Sequence, residues 1–153
     1  MGKRLLIVAA SFLLAACSPA PVTPAADPAE AVAAVVEGFG SRLKNVSLLA
    51  PDAAQQIEAQ YAEFVAPRLL AAWVADPLQA PGRLTSSPWP ERIEIDTLNS
   101  VDEEAYAVVG RVIEITSAEI NTGRIAVSYA VSLAITKTGS RWLISDYQVI
   151  EGP

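Results

Sequence analysis

The chain has 153 residues, a formal net charge of −6, one cysteine and no histidine. Its acidity argues against nucleic acid and anionic lipid surfaces as partners. Without histidine it lacks imidazole metal ligands, Ser-His-Asp and Cys-His catalytic sets and the usual neutral-pH acid–base group; a single cysteine allows no intramolecular disulfide.

Lys3 and Arg4 precede an apolar run, Leu5 to Ala16, broken only by Ser11. Positive charge followed by a short apolar stretch and small residues is the layout of a secretory signal. The run is well short of the ~20 residues a membrane-spanning helix needs. It closes on Leu14-Ala15-Ala16-Cys17, which resembles the bacterial lipobox. That resemblance implies cleavage before Cys17 and attachment of diacylglyceryl (palmitate-type) chains to its sulfur, so the expected partner is a lipid bilayer. One acyl chain anchors marginally at ~0.8 kcal/mol per buried methylene, whereas two or three hold durably. The implied location is the cell envelope: the outer side of the cytoplasmic membrane, or the outer membrane of a Gram-negative host, because Ser18 is not the aspartate that favours inner-membrane retention. Residues 17–153 carry 9 Lys and Arg against 17 Asp and Glu, a formal charge of −8.

Residues 17–28 form a Pro/Ala-rich tether with Pro19, Pro21 and Pro24, extended and semi-rigid. One domain is expected over 29–153, large enough to be held by its core alone. Asp27-Pro28-Ala29-Glu30 predicts a helix start, with Asp27 capping, Pro28 in the first turn and Glu30 completing a capping-box pair. Val32, Val35, Val36, Phe39 and Leu43 continue it as one apolar stripe. Gly38 and Gly40 within that stripe mark a kink or a close approach. They are no phosphate loop, since no Lys-Ser/Thr follows. Pro51-Asp52 opens a second helix carrying Ile57, Tyr61 and Phe64. Pro67 opens a third with Leu69, Leu70, Trp73 and Val74, ended by Asp76-Pro77. Leu78 to Pro90, with Pro81, Gly82, Pro88 and Pro90, reads as a long loop.

Four strands follow. The first runs from Arg92 to Leu98. A charged turn at Asp102-Glu103-Glu104 leads to the second, Tyr106 to Thr116, with Gly110 as a bulge site. The third puts Ile125, Val127, Tyr129, Val131, Leu133 and Ile135 on one face and small residues on the other. Thr138-Gly139-Ser140 turns into the fourth, Arg141 to Val149. Helices first and hairpin-linked strands after predict an α+β fold, with helices on one face of a curved antiparallel sheet of about four strands. The order and size, with the closing Gly139-Ser140-Arg141-Trp142-Leu143-Ile144-x-Asp146, resemble the NTF2-like (cystatin-like) cone. This superfamily hosts enzymes, binding domains and assembly scaffolds, so the resemblance speaks to fold.

Candidate contacts come from charges and aromatics on core-facing strands. Arg111 and Glu114 lie on opposite faces of the second strand, and a bulge at Gly110 decides which meets the cone pocket; the alternative is a cross-strand ion pair. Asp146 shares a face with Trp142 and Ile144, as a pocket carboxylate or a strand-end acid. Trp89, between Pro88 and Pro90, plugs the wide end of the cone or faces a partner. Arg83 and Arg92 flank the same loop and read as solvated or ion-paired, with anion binding as the alternative. No catalytic residue, metal site or cofactor is implied. The expected function is a non-catalytic domain that binds a small ligand or an envelope protein, or assists an assembly. The alternatives are a pocket enzyme using a carboxylate as acid or base, and a structural spacer.

Overall fold

A computed structural model of the chain describes residues 27–122 and 124–150. The signal segment, the lipobox with Cys17 and nearly all of the tether lie outside these residues. Asp27 accepts a hydrogen bond from the Ala29 amide at 2.9 Å and caps helix α1, Pro28–Arg42, with Pro28 opening its first turn. Val32, Val36 and Phe39 are fully buried along one side, as is Leu43 just beyond the helix. The glycines mark close approach and no break: a Cβ on Gly40 would stand 2.5 Å from the Ile93 amide nitrogen, and one on Gly38 2.6 Å from the Phe64 ring. Helix α2 spans Ala53–Tyr61 and buries Ile57 and Tyr61; helix α3 spans Pro67–Ala75 and buries Trp73.

The sheet is an antiparallel meander in the order β1-β2-β3-β4. Its strands are β1 (Trp89–Asp102), β2 (Ala105–Ile115), β3 (Val127–Thr138) and β4 (Arg141–Ile150). The three helices pack on one face, as the chain order predicts, and the core lies between them and Ile93, Val108, Val112, Val131, Leu133, Ile135, Trp142 and Ile144. Gly139, at φ 63°, takes the first central position of the two-residue β3–β4 turn, the place where a II′ hairpin requires glycine.

Bulges set the curvature and the phase of the strands. The sequence places one at Gly110, but the extra residues lie on the partner strand β1, at Glu91, Asp96 and Val101. Gly110 instead permits the contact, since a Cβ there would sit 2.5 Å from the Glu94 carbonyl oxygen. A further bulge occurs in β4: Asp146 pairs with Ala134 and Ile144 with Ile135, leaving Ser145 unpaired in the register. Beside it, the Phe64–Ala66 segment docks on the β4 edge. The Ala66 amide donates to the Ile144 carbonyl and the Ile144 amide to the Phe64 carbonyl, each at 2.8 Å. These bonds cover part of an edge that would otherwise offer free backbone groups.

Candidate functional site

The loop from Leu78 to Pro88 is tied down at its base. The Tyr61 hydroxyl donates to the Pro81 carbonyl at 2.7 Å inside the core. The Arg83 amide donates to the Val46 carbonyl at 2.8 Å, and the Leu48 amide donates to the Arg83 carbonyl at 2.9 Å. Gly82 allows this docking, because a Cβ there would meet Leu48 and the Val46 carbonyl at about 3 Å. The Arg83 backbone is therefore fixed on both sides, and its side chain leaves from a pinned position.

Between this loop and one end of the helix-facing side of the sheet lies an open cavity of about 690 Å3, within the ~300–1,000 Å3 usual for ligand pockets. The sheet contributes Glu114, Tyr129, Tyr147 and Val149; the loop contributes Arg83, Leu84 and their neighbours. Its rim includes three exposed apolar side chains, Leu78 (61%), Leu84 (60%) and Val149 (56%). Among the described residues, the buried side-chain polar atoms without a hydrogen-bond partner are Arg83 Nε and Tyr147 Oη, and both residues line this cavity. Such an atom costs about 1–3 kcal/mol relative to a satisfied one. Arg83 and Glu114 form no ion pair among the described residues.

The ionisable groups respond to this setting. Burial raises the Glu114 carboxyl above its ordinary range. Burial, and then the charge of Glu114, push the Tyr129 hydroxyl up to about 12. Tyr147 is raised further, by burial, by the charge of Tyr129 and by the approach of the Tyr129 hydroxyl, which lies beside it without ordinary hydrogen-bond geometry. All three shifts favour the neutral form, as expected where water is partly excluded.

The other candidates lie elsewhere. Arg111 is on the outer face of the sheet, 3.0 Å from Asp96 and 3.9 Å from Glu94. Asp146 leaves the face of Trp142 and Ile144 because the Ser145 bulge reverses the alternation; it is exposed and accepts from the Gln148 side chain at 2.8 Å. Trp89 does not plug the cone: in register opposite Ile115, it lines a separate groove with Lys44 and Glu91. Its indole N–H donates to Glu91 at 2.9 Å, and Lys44 donates to the same carboxylate at 2.6 Å. Burial would raise Glu91, but these two bonds and the charges of Lys44 and Arg92 outweigh it and hold the carboxyl below its usual range. Arg92 pairs with Glu94 at 2.5 Å. No group of three or more Cys, Asp or Glu among the described residues could hold a metal ion, and none of the described helices is long and apolar enough to cross a membrane.

No family model matches the chain, and no curated protein is similar to it. Comparison with solved structures finds distant likenesses. One is described as an NTF2-like protein involved in plasmid conjugation: 12% identity, TM-score 0.47, covering 84% of this chain and 41% of that one. The chain thus spans about two-fifths of that neighbour's length. An NTF2-like protein of unknown function from Shewanella oneidensis has 14% identity and a TM-score of 0.45 over 80% of this chain and 98% of its own. The intermembrane-space region of the chloroplast protein ARC6 has 18% identity and a TM-score of 0.44, covering 84% and 100%.

Of the cavity residues, the sequence singles out Glu114 and weighs Arg83 only as a flanking charge. Tyr129 was visible as the one polar-tipped residue in the apolar alternation of β3. Tyr147 was not, because an unbroken alternation from Ile144 turns it away from the core.

Proposed function

We propose that the chain is an envelope lipoprotein whose globular domain binds a small molecule in the cavity beneath the Leu78–Pro88 loop without transforming it. The lipobox-like Leu14-Ala15-Ala16-Cys17 supports the anchor. A single observation carries the binding role: the two unpartnered buried polar atoms belong to residues of one open cavity. Buried polar groups are normally satisfied, so a wall with two incomplete groups suits an occupant that completes them.

The test is 1H–15N NMR of the mature acylated protein in lipid nanodiscs, with a panel of small molecules of cationic, anionic, zwitterionic and neutral head groups. Shifts confined to amides around Leu84, Tyr129, Tyr147 and Val149 support the reading. A panel that leaves those amides unmoved, or moves only the Trp89 groove or the Arg111 face, overturns it. A second reading, carboxylate acid–base catalysis, is favoured by the raised pKa of Glu114 within the cavity. It requires chemical turnover of a bound compound that Glu114→Gln abolishes.

A further inference from the structure

We infer that the cavity takes an amphiphile with a single carboxylate head and an apolar tail, the carboxylate on Arg83 and Tyr147 and the tail across Leu78, Leu84 and Val149. This rests on the small-molecule reading above and narrows it to a ligand class.

The head-group argument starts from the donors. Arg83 offers a guanidinium with no ion pair among the described residues and a buried Nε that donates to nothing. Tyr147 offers a buried hydroxyl with a proton to give. Both needs are met by an acceptor, and a planar carboxylate matches a guanidinium fork better than any other common group. Neither atom is open to solvent, so the head engages them by displacing the neighbours that cover them. The Arg83 backbone bonds to Val46 and Leu48 keep the side chain's origin fixed while that happens.

Glu114 sets the charge of the head. Its carboxyl lines the same cavity and pairs with no cation among the described residues. With one guanidinium and one carboxyl among its described lining residues, the cavity has no surplus positive charge for a dianion such as a doubly charged phosphate monoester. A monocarboxylate needs a single cationic partner, and Arg83 is the one cation among the described residues that line the cavity. The tail argument is the rim: Leu78, Leu84 and Val149 are each more than half exposed and are gathered at one opening, where single exposed apolar residues would otherwise be scattered.

The experiment titrates four probes with an eight-carbon tail into the mature protein in nanodiscs: octanoate, octyl phosphate, octyltrimethylammonium and octanol. Wild type, Arg83→Met and Tyr147→Phe are compared in identical nanodiscs, so partition into lipid cancels. Octanoate is expected to move the cavity amides most tightly, with affinity reduced about tenfold in each variant, the effect of removing one hydrogen bond to a charged group. Tyr147→Phe is expected to leave the melting temperature nearly unchanged or raised, since its hydroxyl has no partner at ordinary hydrogen-bond geometry beyond the neighbouring Tyr129 hydroxyl; a merely structural role would lower it. If octanol or octyltrimethylammonium occupies the cavity as well as octanoate does, or both variants bind octanoate like wild type, the carboxylate inference falls while the ligand-binding reading stands. If no probe moves a cavity amide, both fall.

Discussion

Two buried tyrosine hydroxyls in this protein have opposite standing. The Tyr61 hydroxyl donates to the Pro81 carbonyl at 2.7 Å and ties the cavity loop to helix α2, whereas the Tyr147 hydroxyl has only the Tyr129 hydroxyl beside it and no partner at ordinary hydrogen-bond geometry. Tyr61→Phe leaves a buried carbonyl without its donor, so equilibrium urea unfolding is expected to show a loss of about 1–3 kcal/mol. Glu114 carries the pH response. Its folded-state pKa is raised, so the native protein binds the proton more readily than the unfolded chain. Relative to a neutral side chain, stability is intact below the ordinary glutamate pKa and declines as pH rises through the raised one. Glu114→Gln is therefore expected to stabilise at neutral pH and to have no effect at pH 3, measured by thermal melts across that window. Equal stabilisation at both pH values would contradict the assignment.

At the level of elements, helix α1 and strand β1 are held at backbone distance by Gly40. Alanine is the better helix former by about 1 kcal/mol, yet its Cβ would stand 2.5 Å from the Ile93 amide nitrogen, a main-chain atom that cannot swing aside. Gly40→Ala is expected to destabilise by about 1–3 kcal/mol, the range for overpacking, and a gain in urea midpoint would show that α1 and β1 separate at little cost. The apolar stripe of α1, its Asp27 cap, the four strands and the hairpin glycine were legible from sequence because each follows from local periodicity or turn chemistry. The bulges were not. Glu91, Asp96, Val101 and Ser145 have no residue-type signature; they exist because strands of unequal length must stay in register around a curved sheet. That is why Glu114, in a strand with no extra residue of its own, fell on the cavity side by simple alternation, while Asp146 and Tyr147, just after one, exchanged places.

For the whole molecule, the proposed anchor and the cavity are separable. The globular domain over 29–153 contains no cysteine and so has no disulfide to lose, and its stability rests on the core shared by α1, the aromatic group of Phe39, Tyr61, Trp73 and Tyr147, and the sheet. Cys17→Ala is expected to move the protein from the detergent phase to the aqueous phase in partitioning of whole cells. The far-UV circular dichroism and melting temperature of the globular part should remain as in wild type. Equal partitioning of the two would refute lipid attachment at this residue.

The unpaired Ser145 also makes the reading of β4 depend on residue count rather than residue kind. Substitution there leaves the register alone. Loss of its codon would let Asp146 follow Ile144 directly, still opposite Ala134, so Asp146 and Gln148 would stay outward and Tyr147 and Val149 on the cavity side. Descendants of this gene can therefore lose position 145 and keep the cavity wall, whereas one further paired residue inserted after Ile144 would turn Tyr147 and Val149 outward.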